Sequence, residues 1–233
     1  MSYILEKNIS GLANAVPLMK LLQLGQKRIC KIKCGKGTGT GTGFFCSIII
    51  DDWNSLKMRV LITNRHVLNE DDIKVGKKIS FSKNNDEQNY EIVIDKERKI
   101  YSSETYDVTI IEIKKEDNIK SDSFFDIDDN IYIHDYNFKN KSICLLHYPK
   151  GKEMYLSQGI IKRVGIDDKN YEIEHVCDSD HGSSGGPLIN SEDFKVIGIH
   201  KGASSKYNVN CGTLLKEPII EFRNKIEKTD NYN

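Results

Sequence analysis

The stretch Asp178-Ser179-Asp180-His181-Gly182-Ser183-Ser184-Gly185-Gly186-Pro187 carries residue types suited to nucleophilic chemistry. A serine hydroxyl attacks a carbonyl only when a base removes its proton. The oxygen that becomes negative then needs N–H groups aimed at it. A turn rich in glycine lets the backbone come that close, because glycine tolerates positive φ. Ser184 is placed to be the nucleophile. The plain alternative is a Gly/Ser turn between strands.

Two upstream stretches supply what the hydroxyl lacks. An apolar run, Val60-Leu61-Ile62, leads into Thr63-Asn64-Arg65-His66-Val67. A histidine at the end of a strand is usually structural, but imidazole is also the commonest general base. Further on, Asp107 opens the apolar run Val108-Thr109-Ile110-Ile111. A carboxylate there can hold the imidazole in one tautomer and stabilise its protonated form. The plain alternative is a surface turn aspartate like Asp95 or Asp117.

The three stretches together resemble the chymotrypsin-like (trypsin-fold) serine peptidases. G-S-S-G-G-P resembles the family's nucleophile loop, T-N-R-H-V its histidine motif and D-V-T-I-I its aspartate motif. They occur in the family's order, His66, Asp107, Ser184. The resemblance implies that His66 is the base, Asp107 its orienting partner and Ser184 the nucleophile. The amides of Gly182 and Ser184 become the oxyanion hole. The segment Gly39-Thr40-Gly41-Thr42-Gly43-Phe44-Phe45 resembles the strand that precedes the family's histidine. Its glycines fit neither the P-loop order nor a dinucleotide fingerprint, because apolar β-type residues follow instead of a helix. No cofactor and no metal is implied.

The resemblance also places the specificity pocket. The strand Ile197-Gly198-Ile199-His200 resembles that of the glutamyl endopeptidases and the viral chymotrypsin-fold main proteases. In both, a histidine there and a hydroxyl five residues before the nucleophile read a Glu or Gln side chain. Those positions are His200 and Ser179. Asp178 stands where trypsin-type members keep the aspartate that pairs with Lys or Arg. It can serve that role, pair with His200 or point away, so Glu or Gln and Lys or Arg both stay open, with Glu or Gln preferred. Ser183 replaces the aspartate that receives a new N-terminus in secreted zymogens, so that switch is expected to be absent. Two other readings stand beside peptide hydrolysis. One is a non-catalytic binding module on the same scaffold; the other is a dedicated processing protease with a single target.

The elements that must position these residues read as all-β. We expect two antiparallel six-stranded β-barrels with short N-terminal and C-terminal helices. Residues 1–25 read as a helical segment, with Pro17 in its first turn, Val16, Leu18, Met19, Leu21, Leu22 and Leu24 as its apolar set and Gly25 at its end. Residues 26–120 read as the first barrel, 121–140 as a polar, loose connection and 141–228 as the second barrel. The latter includes a closing helix over 217–228 with Pro218 early and Ile219, Ile220, Phe222 and Ile226 apolar. The resemblance covers roughly residues 26–228, without the PDZ domain of the high-temperature-requirement branch.

Composition sets the remaining bounds. The 233 residues carry 34 basic and 34 acidic side chains. That balance points to protein or peptide substrates and to neither nucleic acid nor a membrane surface. No apolar run approaches the roughly 20 residues of a span, and Met1–Lys7 lacks the character of a secretory signal. A cytoplasmic location is the expectation. The six cysteines, Cys30, Cys34, Cys46, Cys144, Cys177 and Cys211, are expected as free thiols. Val67 stands where secreted members of the family have a cysteine. The spacings of Cys30, Cys34, His175 and Cys177 match no common zinc pattern.

Overall fold

A computed structural model of the chain describes residues 18–33, 39–51, 54–133, 137–166, 169–204 and 208–230. Val16, Pro17, Cys34 and the first glycines of the Gly35–Gly43 run lie outside these. Eight strands form the first sheet: β1 (Ile29–Lys33), β2 (Thr40–Asp51), β3 (Leu56–Thr63), β4 (Lys78–Lys83), β5 (Gln88–Val93), β6 (Ile100–Ser103), β7 (Val108–Glu112) and β8 (Phe125–Asp126). Seven run in the order β5-β4-β1-β2-β3-β7-β6, and β8 adds to β2 in parallel. Six more strands close a barrel in the order β10-β11-β14-β13-β12-β9. They are β9 (Ser142–His147), β10 (Tyr155–Ile166), β11 (Lys169–His175), β12 (Pro187–Asn190), β13 (Val196–Ala203) and β14 (Asn210–Leu214). This is the chymotrypsin-like fold.

The first sheet differs from the six-stranded barrel expected. It curls without a ladder between its outer strands, β5 and β6. The buried guanidinium of Arg98 links β5 to β7. It donates to the carbonyls of Val93 at the end of β5 and Glu112 at the end of β7, at 3.1 and 2.8 Å. Asp117 closes the group through a bidentate pair at 2.7 and 3.0 Å. A buried charge is tolerable only when so fully partnered.

Two helices flank the sheets: α1 (Leu18–Arg28) and α2 (Lys216–Asp230). Helix α1 runs through Gly25 and does not end there. A Cβ at that position would lie 2.8 Å from Met154 Sδ, so glycine serves close packing. Helix α2 buries Ile219, Phe222 and Ile226, the one-face spacing of an amphipathic helix. Its Glu221 accepts hydrogen bonds from the hydroxyls of Tyr101 and Tyr106 at 2.7 and 3.0 Å, tying the chain's end to the first sheet. The connection after residue 120 is not loose throughout: Phe124, Phe125, Ile127, Ile131 and Phe138 are buried. Among the described residues, no helix is long and apolar enough to cross a membrane. The five described cysteines are free and all but Cys211 are buried.

Candidate active site

Strand register brings His66 to Asp107. Strands β3 and β7 run antiparallel with Thr63 opposite Thr109. The residues just after β3 and just before β7 therefore leave the sheet at one end. There His66 Nδ1 lies 2.7 Å from Asp107 Oδ2, and the His66 backbone N–H donates to Oδ1 at 3.0 Å. With the carboxylate accepting at Nδ1, the neutral ring has Nε2 free to accept a proton. Asp107 sits at φ 53°, a left-handed conformation that aspartate visits more readily than most residues. Asn64 Nδ2 donates to its carbonyl at 2.8 Å. The carbonyl of the preceding Tyr106 accepts from Thr213 Oγ1 on β14 at 2.7 Å. The second barrel thus helps to seat a residue of the first.

The Ser184 loop is clipped to strands of both sheets. Thr42 N–H on β2 donates to Ser184 O at 2.8 Å, and Thr42 Oγ1 donates to Gly182 O at 2.8 Å. Gly185 N–H donates to His200 O at 3.0 Å and His200 N–H to Gly186 O at 2.8 Å. Gly182 and Gly185 have φ of +85° and +89°, and a Cβ at Gly185 would fall 1.9 Å from Thr42 O. Only glycine fits that approach. Among the described residues, the amides of Gly182 and Ser184 have no acceptor. The Ser184 hydroxyl donates to Lys201 O at 2.9 Å, a bond that must break before any base can take its proton.

On β13, His200 is 1 % exposed. Its Nδ1 lies 3.1 Å from His175 Nε2, and His175 Nδ1 accepts from Cys177 N–H at 3.2 Å. The order of donors follows. His175 accepts at Nδ1, so in its neutral form it carries hydrogen on Nε2 and donates to His200 Nδ1. Neutral His200 then carries its hydrogen on Nε2. Burial pushes His175 down to about 4. His200 is also lowered well below its usual value, by burial and then by the neighbouring His175. Both are therefore neutral at pH 7. Both nitrogens of His175 are occupied by hydrogen bonds, which leaves none for a metal.

Asp178 is exposed and Ser179 half-buried. Asp178 does not take His200 Nδ1, which faces His175. Its charge is felt instead by His147, a residue the sequence did not single out. His147 is buried at the end of β9, and its Nδ1 lies 2.7 Å from Ser183 Oγ. Ser183 Oγ accepts from Asp180 N–H at 3.0 Å, leaving its own hydrogen for the imidazole. The residue before Ser184 is thus bound inside the fold. Burial lowers His147 to about 4, partly opposed by Asp178. Nothing in the sequence around His147 announces this role, since its partner lies 36 residues away.

A two-sheet β fold with a histidine–aspartate pair beside a glycine-bounded serine loop defines the class of chymotrypsin-like peptidases. The trypsin-like peptidase domain model matches residues 41–199, and the chain belongs to that family. It is a serine endopeptidase by family. No curated protein matches the sequence. Among solved structures, it is similar to a serine endoprotease from Yersinia pestis, with TM-score 0.63 and 15% identity over 91% of this chain and 68% of that one. The inactive Ser343Ala form of Rv3671c from M. tuberculosis H37Rv matches with TM-score 0.63 and 17% identity, over 94% and 97%. The HtrA-type protease AlgW with a tripeptide matches with TM-score 0.61 and 15% identity. This chain covers 85% of its own length in that match and spans 60% of AlgW. At these identities the similarity is one of fold.

Proposed function

We propose that the protein hydrolyses peptide bonds through Ser184, with His66 as general base and Asp107 as its orienting partner. The observation that carries this reading is the 2.7 Å contact between His66 Nδ1 and Asp107 Oδ2, beside a serine loop held by Thr42. Ser184 Oγ attacks the scissile carbonyl as His66 Nε2 takes its proton. The amides of Gly182 and Ser184 receive the oxyanion. His66 then protonates the leaving amine, and water, deprotonated by the same imidazole, releases the acyl group.

The preference before the scissile bond is for Gln or Glu. The support is the tautomer of His200. A neutral Nε2–H donates equally to an amide or a carboxylate oxygen, whereas a lysine or arginine side chain offers it no acceptor. Ser179 adds a hydroxyl on the same side of the nucleophile in sequence. Asp178 is exposed, where solvent screens its charge toward substrate. A cleavage-site profile over a proteome digest, with Ser184→Ala as control, tests both parts. Sites ending in Gln or Glu that vanish in the control are expected. Identical profiles for the two proteins would remove the serine mechanism, and sites ending in Lys or Arg would remove the pocket assignment.

A further inference from the structure

A row of polar side chains crosses the first sheet beneath the serine loop. Lys31 on β1 stands opposite Thr42 on β2 and Ser82 on β4. Lys31 is 6 % exposed, an unusual position for a lysine. Its ammonium has three N–H donors and three partners. One is the Asp86 carboxylate; the others are the carbonyls of Gly151 and Lys152, at 2.9 and 3.3 Å. The last two belong to the second barrel, in the short turn Pro149–Gly151 and the residue after it. Asp86 is held in turn by the Ser82 hydroxyl. Next to it, Asn85 Oδ1 accepts from Met154 N–H at 2.8 Å. The β4–β5 turn and Lys31 therefore grip residues 151–154 from the first sheet.

The gripped turn touches the serine loop directly. Lys150 N–H donates to the His181 carbonyl. A Cβ on Gly182 would lie 2.6 Å from Tyr148 O and 2.9 Å from Gly151 N. In a trans peptide the C=O and the following N–H point in opposite directions. Holding the His181 carbonyl toward the turn thus aims the Gly182 N–H away from it. A turn that loosened would free the His181–Gly182 peptide to rotate and withdraw that N–H.

We propose that Lys31 is a positioning residue: by anchoring the 149–152 turn to the first sheet, it fixes the peptide whose N–H, at Gly182, receives the oxyanion. This inference rests on the peptidase reading above. Removing one oxyanion donor outright costs about 10²–10³ in kcat, so loosening it through the turn is expected to cost roughly tenfold to a hundredfold.

The test substitutes Lys31→Met, which keeps the bulk and removes all three donors. The expected result is a kcat lower by about tenfold to a hundredfold with KM within about twofold. Affinity for a peptide boronate is expected to fall by the factor seen in kcat/KM. Independently of activity, the Gly182 amide resonance in a Ser184→Ala background is expected to move when Lys31→Met is added. Parental kcat with an unmoved Gly182 resonance overturns the proposal. So does a rise in KM at unchanged kcat. If Lys31→Met does not fold, Asp86→Asn, at a half-exposed side chain, takes its place with a smaller expected change in the same direction. Should the parent show no turnover, the peptidase reading falls, and the Gly182 resonance alone decides whether Lys31 sets that peptide.

Discussion

His175 Nε2 lies 3.1 Å from His200 Nδ1, and both rings are buried in the second barrel. The pair fixes a direction of hydrogen bonding from Cys177 N–H to β13. It also creates a cost at low pH, since neither ring accepts a further proton without breaking a bond. Both consequences can be measured.

The proposed triad comes first. Ser184→Ala changes a small side chain and is expected to lower kcat by about 10⁶ while leaving the melting temperature within a few degrees. His66→Ala should be comparably severe, and Asp107→Asn less so. Steady-state turnover of purified variants, with a fluorophosphonate label as an active-site count, checks this. Retained cleavage by Ser184→Ala would mean a different nucleophile.

The cysteines give a second expectation. Burial pushes the thiols of Cys30, Cys46 and Cys177 well above their usual range, so they resist deprotonation and behave as small apolar side chains. The melting temperature is expected to be the same with and without reductant. A drop of several degrees on adding reductant to metal-free protein would show a bond between cysteines that contributes to stability.

What could be read from residues alone was local. The three motifs each compress their chemistry into five or six neighbouring positions, so His66, Asp107 and Ser184 stand out as candidates without a structure. Lys31, Thr42, His147 and His175 are not. Each is a single polar residue on a strand, and its meaning comes from a partner set by register; Gly151, which accepts from Lys31, is 120 residues away. The same limit hid strands. Lys78–Lys83 and Gln88–Val93 are rich in Lys, Ser, Asn and Gln, and they become strands by pairing with each other and with β1.

The buried imidazoles predict an acid-sensitive fold. His147 and His175 have pKa values of about 4 in the folded protein, against 6.5 when free. Between those values the unfolded chain holds more protons, so stability is complete above pH 6.5 and falls as pH drops toward 4. A shift of that size corresponds to about 3 kcal/mol per ring. Denaturant midpoints across the window should decline with pH for the parent. They should decline less for His147→Gln, which keeps a hydrogen-bonding group beside Ser183 without the titration. Equal slopes for the two proteins would mean that His147 is already protonated or exposed.

Specificity is the sharpest test of the pocket. On a panel of peptides that differ only before the scissile bond, Gln and Glu are expected to lead. Losing a hydrogen bond from His200 Nε2 to a buried carboxylate costs roughly 1.5–3 kcal/mol, or about one to two decades in rate. His200→Val should therefore flatten the preference while Ser184 still takes a fluorophosphonate label. Because His200 is neutral, the ratio of Glu to Gln turnover should hold steady between about pH 6 and about pH 8, where an exposed imidazole would titrate. Asp178→Ser should leave the preference intact or raise turnover after Glu, since it removes an exposed negative charge. Cleavage after Lys or Arg that disappears in Asp178→Ser and survives His200→Val would reverse the assignment. The pocket would then be read by its carboxylate, while the roles of His66, Asp107 and Ser184 would stand.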